Sequence, residues 1–85
     1  MQKTFTVKIG DKGQVPIARD IVVCANDFGG AVYIEKDGRR ISAYSLIGVL
    51  SLCVADEDII TVSCQGGDEF AAKLCLEKIG EIVCK

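Results

Sequence analysis

Eighty-five residues, 49% hydrophobic and 26% charged, suffice for one small folded domain spanning residues 1–85, but leave little room for a deep catalytic pocket. The net charge of −2 gives no global attraction to nucleic acid or to an anionic membrane, so neither is expected as a direct partner. The chain contains no histidine, which removes the commonest catalytic side chain and metal ligand.

The predicted elements follow in chain order. Phe5, Val7 and Ile9 alternate with Thr4, Thr6 and Lys8, the period of a strand with one buried face. This start carries no signal-peptide core, and no later run approaches the ~20 apolar residues of a membrane span, so a cytoplasmic location is expected. Gly10-Asp11-Lys12-Gly13 breaks the strand. Pro16 suits a first helical turn, where its missing N–H costs nothing. Ile17, Ile21, Cys24 and Ala25 then recur at helical spacing, which predicts a helix from about Pro16 to Asp27, ended by Gly29-Gly30.

Two β-rich runs, Ala31–Glu35 and Ile41–Ala43, flank Asp37-Gly38, the strongest short hairpin signal. The cations around that turn, Lys36, Arg39 and Arg40, read as a solvated tip rather than a phosphate-binding patch. Ser45 offers an N-cap hydroxyl to a short helix from about Leu46 to Cys53. Leu46, Ile47 and Leu50 put apolar side chains on more than one side of it, which predicts partial exposure. Asp56-Glu57-Asp58 reads as a solvated turn, because three adjacent carboxylates in an extended loop do not converge on one ion. Ile59–Cys64 is a fourth strand, closed by Gly66-Gly67. Asp68 caps a long helix to Val83, with Ala72, Leu76, Ile79 and Val83 on its apolar face and Ala71, Leu74, Cys75 and Ile82 flanking it. Glu69 and Lys73 form an i,i+4 pair on its wet side.

The order β-α-β-β-α-β-α, with a hairpin that forces antiparallel pairing, predicts an α+β fold. The simplest arrangement is an open-faced β-sandwich, with a four-stranded antiparallel sheet and three helices on one face. The five cysteines (Cys24, Cys53, Cys64, Cys75, Cys84) are odd in number and contain no CxxC. They read as small buried apolar residues, not as disulfides or a zinc site. The glycines form neither GxGxxG nor a P-loop, so no cofactor is implied. No nucleophile is paired with a base, so no catalytic residue is assigned and an enzyme is not expected.

The element order and several motifs resemble the histidine-containing phosphocarrier protein (HPr) family of the bacterial sugar phosphotransferase system, over essentially the whole chain. The strongest motif is Ser45-Leu46-Ile47-Gly48-Val49-Leu50-Ser51-Leu52, which is similar to that family's regulatory-serine signature. Phe28, the hairpin Glu35-Lys36-Asp37-Gly38-Arg39-Arg40 and Gly67-Asp68-Glu69 support it.

The chain departs from the family at the carrier site. Carriers have Gly, an apolar residue and then His-Ala-Arg-Pro. Here the chain reads Gly13-Gln14-Val15-Pro16-Ile17-Ala18-Arg19. A loop one residue shorter puts Gln14 at the histidine position, and alignment on Gly13 puts Val15 there. Neither an amide nor an alkyl group accepts a phosphoryl group, and the family's arginine is replaced by Pro16 or Ile17. Phosphocarrier activity is therefore expected to be absent.

The resemblance implies a variant similar to relatives that carry glutamine, keep the serine and act in catabolite repression. It implies Ser45 as a regulatory phosphorylation site, although Tyr44 stands where the family usually has a lysine. It further implies a partner-binding face made of Gln14, Val15, Pro16, Leu46, Ile47 and Leu50. The partners would be proteins, either a transcription regulator or phosphotransferase-type proteins. A monomer or weak dimer is expected, with exchange of the first strand as the route to a dimer. A second reading, motivated by Cys53 beside Ser51-Leu52, is the same fold repurposed as a thiol or small-ligand sensor outside the phosphotransferase system.

Overall fold

Alternation at the N-terminus becomes a paired strand only as far as Thr6. In the computed structural model, which describes residues 1–84, β1 (Gln2–Thr6) is followed by a short 3-10 turn at Gly10–Lys12 and helix α1 (Gln14–Phe28). Strands β2 (Ala31–Lys36) and β3 (Arg39–Ser42) form the expected hairpin, and α2 (Leu46–Ser51), β4 (Ile59–Gln65) and α3 (Glu69–Val83) complete the chain. The sheet order is β1-β4-β2-β3, with every neighbouring pair antiparallel. The predicted α+β sandwich of four antiparallel strands and three helices is therefore the observed fold.

Local chemistry sets most boundaries. Asp37 and Gly38 both adopt positive φ (52° and 80°), as a tight hairpin turn requires. Gly29 takes the left-handed conformation (φ 78°) that ends α1, and its N–H donates to the Ala25 carbonyl at 3.1 Å. Helix α1 begins two residues earlier than Pro16, with Gly13 as its N-cap. Pro16 still lies in the first turn, where no intrahelical N–H bond is lost. Helix α2 stops at Ser51, short of the predicted Cys53, because Cys53 turns to a positive φ of 51°.

The core lies between the sheet and the helices. Val32, Ile34, Ile60, Val62 and Cys64 face Ile17 and Ile21 of α1 and Ala72, Leu76 and Ile79 of α3, all buried. Each large aliphatic side chain so buried contributes about 1.5–3 kcal/mol. The opposite sheet face is polar: the Thr4 and Thr61 hydroxyls meet at 3.2 Å, and the Arg40 guanidinium lies over the Tyr33 ring at 4.2 Å. Three cysteines behave as small core residues, but Cys53 and Cys84 are exposed, which corrects the reading of all five as buried. Cys53 turns outward at a positive φ between buried Leu52 and Val54, and Cys84 is the C-cap residue just past the last buried position of α3.

The acidic turn is largely exposed, as expected, and it is also a connector. The Asp56 carboxylate accepts from the backbone N–H of Ile9 (2.6 Å) and Gly10 (3.1 Å), Glu57 pairs with Lys8, and Asp58 pairs with Lys36. Those two are the ion pairs among the described residues; Glu69 and Lys73 do not meet, since both point into water, where the entropy of holding two long side chains outweighs their attraction.

The two N–H donors from Ile9 and Gly10 hold the Asp56 carboxyl below its usual range. The Lys36 ammonium, with the Ala55 N–H, does the same for Asp58. A carboxyl depressed in the folded state adds stability above its unfolded pKa, and that stability is lost as pH falls through the lower folded value. The urea midpoint is therefore expected to fall as pH drops below about 4. Asp56→Asn, which keeps an acceptor oxygen, should flatten that fall. An unchanged acid limb in the asparagine variant would assign the pH dependence elsewhere.

Candidate functional site

Helix α2 has only six residues and is held at both ends. At its start Ser45 is extended (φ −98°, ψ 109°), and its Oγ accepts the Gly48 N–H at 3.0 Å. The Ser45 carbonyl accepts the Val49 N–H at 2.9 Å, so the predicted cap is present and the hydroxyl stays exposed. Gly48 is needed for closeness: a Cβ there would lie 3.1 Å from Ser45 Oγ.

At the other end the hairpin cations meet the helix. Lys36 Nζ donates to the carbonyls of Leu52 (2.9 Å) and Cys53 (3.0 Å) and lies 2.9 Å from Asp58 Oδ2. The Arg39 guanidinium donates to the Ser51 carbonyl (3.1 Å) and Oγ (3.2 Å). Cations at a helix C-terminus complete its orphaned carbonyls and oppose its negative end. Lys36 is thus drawn out of the solvated tip expected from sequence, whereas Arg39 stays exposed while bonding to Ser51. The signal was an Asp-Gly turn flanked by Lys36 at the end of β2 and Arg39 at the start of β3, but only the fold shows that they reach α2.

The apolar residues of α2 divide between core and surface. Val49 is buried and Leu50 half-buried, whereas Leu46 is 40% and Ile47 80% exposed. Beside them is the start of α1. Gln14 and Leu50 line one narrow cleft together with Ile17, Val49 and Val54, and the two helices pack against each other. Val15 is 57% exposed, and Pro16 is exposed next to it. Gln14 is the first helical residue and Val15 the second, so both candidates for the carrier position sit in the opening turn. Arg19 lies more than one turn further along, also exposed.

Tyr44 has a role that sequence reasoning missed. Its hydroxyl donates to the Gly30 carbonyl at 2.5 Å, which ties the residue before Ser45 to the exit of α1. Phe28 is half-buried against Gly30 and Gly67 and belongs to that same corner, not to the α2 surface. Among the described residues no group of three or more cysteine, aspartate or glutamate side chains converges on a metal position, and no helix is long and apolar enough to cross a membrane.

A serine-capped short helix set against the first turn of α1, on an antiparallel sheet covered on one side, defines a phosphocarrier-type domain whose carrier histidine is missing. The family described as "PTS HPr component phosphorylation site" matches residues 1–83, and the chain belongs to that HPr family. It is 41% identical over 83 residues to the HPr-like protein Crh of Bacillus subtilis (strain 168), covering 98% of this chain and 94% of the relative. The phosphocarrier protein HPr of Bacillus anthracis has a similar crystal structure, with a TM-score of 0.85 at 32% identity, covering 98% of this chain and 95% of that one. The crystal structure of Bacillus subtilis Crh, described as a catabolite repression protein with a swapped domain in a dimer, gives a TM-score of 0.72 at 35% identity, covering 85% of this chain and 79% of that one.

Proposed function

We propose that this protein is an HPr-like regulatory or adaptor protein of carbon-catabolite control, which docks on protein partners and carries no phosphate on histidine. One observation bears most of the weight: an exposed Ser45 hydroxyl beside exposed Leu46 and Ile47, at the end of the fold where the carrier residue is absent. Gln14, Val15, Pro16, Leu46, Ile47 and Leu50 form the partner face, an aliphatic patch with a polar border. Its partners are a transcription regulator or phosphotransferase-type proteins. Ser45 is the switch, where phosphorylation replaces a small neutral cap with a dianionic group next to the patch. The relatives named HPr-like protein Crh support this assignment. β1 is an edge strand, so it is the segment that exchanges if two copies associate weakly in the manner described for Crh.

Intact mass tests the reading. Incubation with phosphoenolpyruvate and the general phosphotransferase enzyme is expected to add nothing. ATP with the serine kinase of the same organism is expected to add one phosphate, which Ser45→Ala abolishes. A stable phosphate gained from phosphoenolpyruvate overturns the proposal. Ser45→Ala also removes the cap, so a separate loss of about 1 kcal/mol in urea unfolding is expected. The phosphate result is therefore compared at a temperature where the variant remains folded.

A further inference from the structure

The core holds a feature that docking does not use. Cys24 of α1 and Cys75 of α3 are 51 residues apart in sequence, yet their sulfurs are in contact at 3.8 Å. The Cys24 thiol also points at the Cys75 carbonyl, at 3.7 Å. Cys64 of β4 lies beside Cys75, and burial above all raises all three thiols, Cys24 to about 12 and Cys75 to about 11. The pair is not sealed. A cavity of about 100 Å³ is lined by both cysteines, together with Phe28 and Asp27 of α1 and Leu74 and Lys78 of α3. Cys24 is the more accessible of the two (7% against 4%) and also borders a second cleft, with Val23 and Lys78.

We propose that Cys24 and Cys75 are an oxidation site, which a small disulfide oxidant converts into an intramolecular disulfide that staples α1 to α3. The Cys24 thiolate attacks one sulfur of R–S–S–R, forming a mixed disulfide and releasing R–SH with the proton taken from Cys24. Cys75 then attacks the Cys24 sulfur and releases the second R–SH. Two protein thiols lose two protons and two electrons, and one oxidant molecule is reduced to two thiols. Closing the bond brings the sulfurs from 3.8 Å to about 2 Å. At Cys24, burial opposes thiolate formation most, with Cys75 and Asp27 adding to it, whereas the Lys78 ammonium at the mouth favours it. Oxidation should therefore be slow at neutral pH and accelerate through the alkaline range.

The test uses the full chain carrying Cys53→Ser and Cys84→Ser, which silences the exposed thiols. Reduced protein is incubated with 2-hydroxyethyl disulfide, quenched with acid, and read by intact mass and peptide mapping. The expected product has lost two hydrogen masses, contains a linked Cys24–Cys75 peptide and is reversed by dithiothreitol. Its Tm is expected to rise by about 10 °C or more, as a cross-link closing a loop of this length predicts. Cys75→Ala should stop at the mixed disulfide on Cys24. If that variant fails to fold, mapping of the parent protein decides alone. No mass change after unfolding is excluded by circular dichroism, or a link through Cys64 instead of Cys24, overturns the proposal.

Discussion

Replacing Gly30 with alanine is expected to destabilise the protein by about 3 kcal/mol and to lower its Tm by about 10 °C or more. An ideal Cβ at this position lies 2.6 Å from the Gln65 carbonyl oxygen and 2.6 Å from the Phe28 ring. The ring can turn aside, but the carbonyl cannot. Gln65 is the partner of Ala31 at the end of the β2–β4 pairing, so moving it frays the central strand pair from that end. The Gly30 carbonyl also receives the Tyr44 hydroxyl, so displacement there loosens the chain entering Ser45. Gly29 provides the control. Its φ of 78° strains an alanine by about 1 kcal/mol, yet nothing occupies its Cβ position. Urea unfolding should therefore rank Gly30→Ala well below Gly29→Ala. Equal costs would show that backbone strain, not the close approach to β4, governs this corner.

Lys36→Met should weaken α2 specifically. Methionine keeps most of the side-chain packing but donates nothing, so the Leu52 and Cys53 carbonyls lose their partner and Asp58 loses its cation. Water can replace the bond to the exposed Cys53 carbonyl, but leaving the part-buried Leu52 carbonyl unsatisfied costs about 1–2 kcal/mol. The loss should be local before it is global. Hydrogen exchange at the Leu52 and Cys53 amides, which close the end of α2 on Val49 and Leu50, is expected to accelerate more than exchange in β4. Arg39→Ala should do less, because its bonds to Ser51 are exposed to water. Uniform acceleration across the chain would mean that Lys36 supports the sheet rather than the helix end.

What the sequence made legible was local. Ser45 and Asp68 cap the helices that follow them, Asp37-Gly38 turns the hairpin and Gly29 ends α1, because each motif satisfies backbone groups within three or four residues. The apolar face of α3 was legible for the same reason. The missed features join a side chain to backbone far along the chain: Asp56 to Ile9, Lys36 to Cys53 and Tyr44 to Gly30. Residue type announces the donor or acceptor, but only tertiary placement chooses its partner. Lys36 therefore looked solvated until the fold laid α2 beside it. The cysteines show the same limit, since the residue type does not say which of them the backbone turns toward the core. The candidate site was half legible: the serine signature marked α2, while the alignment of the first turn of α1 left Gln14 and Val15 as alternatives for the missing histidine.

A helix of six residues is well below the length that persists on its own in water. Helix α2 exists because Ser45, Lys36 and Arg39 fix it from outside. The surface that carries Leu46 and Ile47 is thus pre-organised by a hairpin remote from it in function. If this surface is the proposed docking face, a partner meeting it does not have to order it, so the conformational entropy of shaping it is lost during folding and not again on association.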